Sequence, residues 1–380
     1  MFSIVGLLAG PLSAAESTSF QEPRLEIKNA TSCIAEATIS GPQFFAPEAF
    51  HSFEVLESPR VAQLRDSFGF HDVVEDESDE FRKMLRLRHW VHTRWPIDDE
   101  QSFSGDAFAI LEKAKTGTGF HCSHSMAVQH AVMTVMGFVA RDLGVDVNHQ
   151  VFGHSIHHGV NEIWSNKYVK WVLLDAKYDI HFERDGIPLS ALELHEAVRA
   201  DGGKGIAKVH GPNSEAVPMN GSGFPTSSVS SYWWVSYYVD MGRFTGGFND
   251  SRVVVLDNLP FRETTWMRDS SDGLKKHWGY DANAFLPIGE RHRIQWTPGV
   301  PELQISQISP SQLDVTFDSE TPNLEGYLIR TDVGLWQPVD GGNYVWNLEL
   351  GRNALEICTR NQLGVLGPPV TVSVVRQLCK

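Results

Sequence analysis

Apolar positions recur at three- and four-residue spacing in several stretches of the chain. Met126, Ala127, Ala131, Val132, Val135 and Met136 predict a helix that starts at Cys122, with Gly137 as its left-handed stop. Phe81, Met84, Leu85, Val91 and Trp95 share one broad face of a second helix, from about Phe81 to Trp95, which Pro96 ends. A third helix runs from Asp106, suited to an N-cap, to Ala114, with Gly117 just beyond. A fourth spans Leu189 to Arg199 and opens at Ser190.

Between these helices the pattern turns to extended chain. Phe138-Val139-Ala140 opens a buried strand, His158 to Trp164 is extended, and Lys170 to Asp175 has a continuous apolar core from Trp171 to Leu174. Asn166 supplies a turn, so the last two runs are expected as antiparallel neighbours. Gly202 to Ser230 reads as loop, and Tyr232, Trp233, Trp234, Tyr237 and Tyr238 then crowd one strand. From about Pro298 only short alternating runs remain: 303–305, 313–317, 327–329, 348–357 and 370–375, separated by turn residues. The expected fold is α+β, a helix packed on an antiparallel sheet, followed by a small all-β sandwich. The expected boundaries are a signal peptide over 1–15, an N-terminal cap segment over 16–65, a catalytic domain over 66–297 and the sandwich over 298–380.

Chemistry concentrates on one of the predicted helix starts. Cys122 follows a loop broken by Gly117 and Gly119. A thiol of ordinary pKa, about 8.5, is only a few per cent ionised at neutral pH, and both a helix N-terminus and a nearby imidazolium favour the thiolate. The loop glycines are expected to let a substrate backbone come close. A buried, inert thiol is the plainer alternative. His158 and Asp175 on neighbouring strands have the geometry of a base and the group that orients it.

These residues resemble those of the transglutaminase-like superfamily of papain-related cysteine enzymes. Gly119-Phe120-His121-Cys122 is similar to that family's nucleophile loop, and Met136 to Arg141 to its helix-to-strand junction. His158-Gly159-Val160-Asn161-Glu162 resembles its histidine strand and Trp171 to Asp175 its aspartate strand. The likeness covers roughly Arg82 to Ile180. It implies Cys122 as nucleophile, His158 as base and Asp175 as orienter. It also implies an upstream Trp or Gln as oxyanion donor, for which Trp90, Trp95 and Gln101 are available, although core packing is the better expectation for either Trp.

Some readings stay open beside it. His121 and His124 flank the cysteine where the family often has an aromatic or small residue. With His130, His149, His154, His157 and His158 nearby, a mixed Cys-His zinc site is conceivable, but no paired ligand spacing recurs, and no metal or cofactor is expected. A register shift of one would make His157 the base, with His154 a weaker candidate. Tyr232, Trp233 and Trp234 read most simply as core, with a glycan-stacking platform as the sharper alternative. The sandwich reads as a structural cap on the core or as a targeting module.

Composition narrows the picture. A net charge of -15 argues against nucleic acid and anionic membranes, and no apolar run is long enough to span a bilayer. Met1 to Ala15 resembles an export signal apart from its missing basic residues, so a secreted or periplasmic protein is expected. Of four cysteines, Cys358 and Cys379 are the expected candidates for a bridge, which leaves Cys33 without an obvious partner. The expected function is an exported acyl-transfer enzyme acting on protein, peptide or cell-wall-type amides, a protease or amidase ahead of a crosslinker. A binding scaffold without catalysis is the alternative from another class.

Overall fold

The computed structural model describes residues 25–42, 56–57, 59–99, 103, 105–146, 157–213, 215–217, 234–239, 252–256, 285–288, 295–339 and 341–379. The chain enters through strand β1 (Ile34–Ser40) and then builds five helices: α1 (Pro59–Ser67), α2 (Phe70–Val74), α3 (Glu80–His92), α4 (Ala107–Ala114) and α5 (Cys122–Val135). Asp79 caps α3 by accepting from the Arg82 amide at 3.0 Å, and Asp106 caps α4 by accepting from Ala109 at 2.8 Å. Arg60 of α1 closes on both Asp106 oxygens at 2.7 and 2.9 Å, which ties α1 to that cap. From His124 to Val135 every residue of α5 is buried, so it is a central helix with partners all round rather than a surface helix with one apolar stripe.

The strands that follow make the sheet on which α5 lies. β2 (Ala140–Asp146), β3 (His157–Ser165) and β4 (Lys170–Leu174) pair antiparallel in sequence. After β5 (Ile180–Arg184), β6 (Ile187–Pro188), α6 (Ala191–Asp201), β7 (Ile206–His210) and β8 (Glu215–Val217), the strands β9 (Trp234–Val239), β10 (Arg252–Leu256) and β11 (Phe285–Ile288) complete a six-stranded sheet of order β11-β10-β9-β2-β3-β4. β10 and β11 are parallel. Alternation divides the apolar residues between the two faces. Ile163, Val172 and Leu174 join the α1–α5 core, whereas Val160, Trp164, Trp171 and Leu173 pack with Phe182 and the Ala191–Leu194 turn of α6. α6 opens on a full capping box made by Ser190 and Glu193.

The C-terminal part is a two-sheet sandwich of β12 (Glu302–Ser309), β13 (Gln312–Asp318), β14 (Leu324–Thr331), β15 (Gln337–Val339), β16 (Asn343–Asn347), β17 (Gly351–Asn361) and β18 (Val370–Arg376). One sheet has the order β12-β13-β16 and the other β1-β18-β17-β14-β15, around a core that includes Trp346, Leu355 and Val372. The sandwich touches the end of α5. Gly137 stands at φ 90°, and a Cβ there would lie 2.9 Å from Val365, while the Asn361 amide donates to the Gly137 carbonyl at 3.0 Å.

Two expectations need correction. The segment expected as an N-terminal cap instead supplies β1, paired antiparallel with β18 along Ile34–Ser40, while its later part, Leu56 and α1, joins the helical core. The disulfide joins Cys33 to Cys379, and Cys358 is a free, buried thiol. The pairing follows from the strands: with β1 and β18 antiparallel, the start of one lies beside the end of the other, whereas Cys358 sits inside β17 with its side chain in the packed core. The turn after β3 uses Asn166 as expected, through its side chain accepting from the Trp164 indole at 2.9 Å, and its left-handed residue is Val169, at φ 52°.

Candidate active site

Cys122 is the first residue of α5, so its sulfur lies where free backbone amides and the positive end of the helix dipole gather. His121 takes the N-cap position with extended backbone, and its Nδ1 accepts from the Ser123 amide at 3.3 Å. The preceding loop is pinned to the segment after α3: the Phe120 amide donates to Pro96 O at 3.1 Å, and the Asp98 amide donates to Phe120 O at 3.1 Å. Gly119 is required here, since a Cβ would fall 2.6 Å from the Pro96 carbonyl oxygen. That corrects one expectation, because the backbone this glycine admits is the chain's own. Phe120 is fully buried, with ring centroids 5.5 Å from Trp95 and 4.7 Å from His124.

The other two predicted residues converge on this point. Leu174, the last residue of β4, pairs with Asn161 of β3, which sets Asp175 close to the start of the histidine strand. The His158 Nε2–H donates to Asp175 Oδ2 at 2.7 Å, both side chains are buried, and the second carboxylate oxygen accepts from the Tyr178 amide at 3.2 Å. With Nε2 so engaged, Nδ1 is the nitrogen left to bond the Cys122 sulfur, and the two side chains are hydrogen-bonded. Gly159 allows the close approach: a Cβ there would lie 3.1 Å from Met126 Sδ, and the Gly159 backbone bonds the sulfur.

The electrostatics follow from this geometry. Burial disfavours charge on both groups and is the largest influence on each. Against it, hydrogen bonds from His121 and His158, the His158 charge and the Gly159 backbone hold the Cys122 thiol well below its ordinary pKa. For His158 burial is outweighed by the charge and hydrogen bond of Asp175 and by Cys122, which push it up to about 10. The arrangement favours a thiolate–imidazolium pair at neutral pH.

Sequence comparison agrees with this geometry. Residues 70–176 match the family model described as the transglutaminase-like superfamily. This stretch is similar to a transglutaminase-like core. It runs from α2 to the residue after Asp175 and so contains Cys122, His158 and Asp175. Among solved structures, the chain is similar to the crystal structure of red sea bream transglutaminase at 13% identity, over 86% of this chain and 57% of that one, with a TM-score of 0.24. The chain therefore spans less than two thirds of that protein's length. No curated protein matches it.

Two buried polar networks, neither of them predicted, brace the transglutaminase-like core. Behind α5, His130 bonds Asp142 at 2.9 Å, Asn161 donates to Asp142 at 2.6 Å and to Met126 O at 3.2 Å, and Gln129 donates to Asn161 and to Leu174 O at 3.0 and 2.9 Å. They fasten α5 to β2, β3 and β4. The turn after Asp175 is closed by paired backbone bonds between Asp175 and Ile180, with Asp179 at φ 53°. α3 grips that turn: Arg88 donates to Asp179 at 2.8 Å and to Gly211 O at 3.0 Å, His89 bonds Asp179 at 2.7 Å, and His92 bonds Ala176 O and Lys177 O at 3.2 and 3.1 Å. Arg88 and Asp179 are fully buried. The one trace of this in the sequence is Arg88, a charge embedded in the apolar face of its helix.

The remaining candidates separate. Gln101, His149, His154, Tyr232 and Trp233 lie outside the described residues. His157 is the first residue of β3, paired with Asp146, and Trp234 the first of β9; their side chains are likewise outside the described set. The residue that meets Asp175 is His158, the one predicted. His124 donates from Nε2 to Phe103 O at 2.8 Å. Trp90 and Trp95 both pack in the helical core. Among the described residues no group of three or more His, Cys, Asp or Glu is arranged to hold a metal, and no helix is long and apolar enough to cross a membrane.

Proposed function

We propose that the protein is an exported cysteine-dependent acyl-transfer enzyme acting on amide bonds of proteins, peptides or cell-wall-type polymers. The observation that carries this reading is the hydrogen-bonded chain from Cys122 through His158 to Asp175. The match to the transglutaminase-like superfamily supports a cysteine enzyme of hydrolase or acyltransferase type. The Cys33–Cys379 disulfide fits an oxidising compartment and so supports export.

In this reading the Cys122 sulfur attacks the amide carbonyl carbon, and backbone amides at the start of α5 hold the oxyanion. The imidazolium proton of His158 goes to the leaving nitrogen as the C–N bond breaks, which leaves a thioester on Cys122 and a neutral imidazole. Water, or a second amine in a crosslinking reaction, gives its proton to His158 while attacking the thioester, and the sulfur leaves as the thiolate. We favour water as the acceptor.

Iodoacetamide at pH 7 tests the central claim. Prompt alkylation of Cys122, lost in His158→Ala, is expected. Labelling at the rate of a free thiol, unchanged by His158→Ala, would leave a binding scaffold as the better reading. Release of thioester product to added primary amines rather than to water would shift the assignment to a crosslinker.

A further inference from the structure

Large apolar side chains stand out into solvent at one end of the sandwich. Val333 is 100% exposed and Leu335 84%, both in the turn between β14 and β15. Leu350 in the β16–β17 turn, Ile308 near the end of β12 and Leu378 just past β18 are each more than half exposed. Backbone bonds bring these segments to the same end. The Asp332 amide donates to Ala354 O at 2.9 Å near the start of β17, Gly351 pairs with Arg376, and the Leu348 amide donates to Ser311 O at 2.8 Å. β17 meets the catalytic core with its other end, where Asn361 bonds Gly137, and its 11 residues set Gly351 about 33 Å from Asn361.

One exposed leucine is ordinary, but five aliphatic side chains gathered at one end mark a surface that takes a partner. They sit on separate turns rather than on a flat sheet face, a shape that a fluid phase fills more readily than a rigid protein does. Trp336 lies half-buried at the base of the Val333 turn, its ring centre 4.9 Å from the guanidinium of Arg330, which is itself paired with Glu356. An aromatic with one polar edge, set behind aliphatic tips, suits the headgroup level of a bilayer. The charges agree. Arg376 donates from Nε to Pro310 O at 2.9 Å and from Nη1 to Leu348 O at 3.1 Å, which holds it among these turns, and among the described residues neither it nor the exposed Arg352 has a carboxylate partner. Glu349, beside Leu350, offsets part of that charge. The net charge of -15 disfavours a strongly anionic surface, so a zwitterionic one is the better fit.

We propose that this end of the sandwich docks on a phospholipid bilayer, with Val333, Leu335 and Leu350 entering the acyl boundary, Trp336 at headgroup level, and Arg352 and Arg376 on the lipid phosphates. The protein lies on the bilayer and does not span it, since interfacial elements of this kind reach only about 5–10 Å inward. The catalytic core then stands off the surface by the length of β17. This inference is independent of the chemistry at Cys122 and goes beyond it.

Co-sedimentation of the full chain with phosphatidylcholine vesicles tests it. The wild type should pellet with the vesicles. Full burial of one leucine or valine changes an equilibrium by roughly tenfold or more, so Val333→Asp with Leu335→Asp should lower the partition coefficient by at least about 100-fold. Leu350→Asp, on a separate turn, should lower it by about tenfold, and Arg352→Gln by less than either. The melting temperatures of these variants should match that of the wild type, because the side chains replaced are exposed. A wild type that stays in the supernatant, or a double variant that pellets as well as the wild type, overturns the proposal. Sedimentation velocity without lipid supplies the remaining arm: a wild-type dimer that Val333→Asp with Leu335→Asp turns into a monomer would assign this end to a second copy of the chain and overturn the bilayer.

Discussion

His158 donates its Nε2–H to Asp175 Oδ2 across 2.7 Å, with both side chains almost completely buried. That bond fixes which ring nitrogen faces the sulfur. Asp175→Asn should therefore lower turnover by about two to four orders of magnitude, the range of a positioned acid–base group, with a smaller change in substrate binding. Asp175→Ala should also cost about 3–5 kcal/mol of stability, since it leaves a buried charge without its partner, readable as a lower urea midpoint.

The pH dependence of stability has a definite shape. His158, raised to about 10, contributes stability fully present below its unfolded pKa near 6.5 and lost as pH rises through about 10. Cys122, lowered from 9.0, contributes stability present above 9.0 and lost as pH falls through its folded value. Between about 6.5 and 9 the two slopes oppose each other, which flattens the wild-type urea midpoint there and lets it fall on either side, whereas that of Cys122→Ala should fall as pH rises through this range. A Cys122→Ala protein with the same profile as the wild type would contradict the pair.

Much of this site is legible in the sequence because it depends on local order. Helix period, the Gly137 stop, the Asp106 and Ser190 caps and the apolar run of β4 are read over a few residues, and they carry Cys122, His158 and Asp175 to their elements. The braces are not legible, because Arg88 finds Asp179 and Gly211 through a turn that only the folded chain brings near. α1 and α2 escape notice because they are short, of nine and five residues, with two buried apolar positions each, too few for a period. The Cys33–Cys379 pairing joins the two ends of the sequence, and spacing carries no information over such a distance.

Arg88→Met should destabilise the fold by about 3–5 kcal/mol, because it leaves the fully buried Asp179 carboxylate without its buried cation, with His89 as its remaining side-chain partner. The turn bearing Asp175 would loosen with it. Alkylation of Cys122 should then slow even below the unfolding temperature, while Arg88→Met with Asp179→Asn should recover part of the stability. Thermal melts and labelling rates of the three variants check this.

Gly119→Ala should disturb the nucleophile loop more than its size suggests. A methyl group must push the Pro96 carbonyl aside from 2.6 Å, so slower labelling of Cys122 and a lower melting temperature are expected. Gly117→Ala is the control for backbone strain alone: its φ is 84° but nothing lies within 4 Å of the added carbon. A methyl there should cost stability and leave the thiol's reactivity closer to the wild type.

Loss of the covalent link, in Cys33→Ser, should lower stability by about 2–4 kcal/mol, seen as a melting temperature that no longer responds to reductant.

The same link has a bearing on how the protein is made. β1 leaves the ribosome long before its neighbour β18, and the partner of Cys33 follows 346 residues later. Until β18 is made, Cys33 stays unpaired and the edge of β1 stays bare, while the free thiol of Cys122 is already available as a wrong partner. Maturation of this chain is thus a race between the arrival of β18 and mispairing of Cys33 with Cys122.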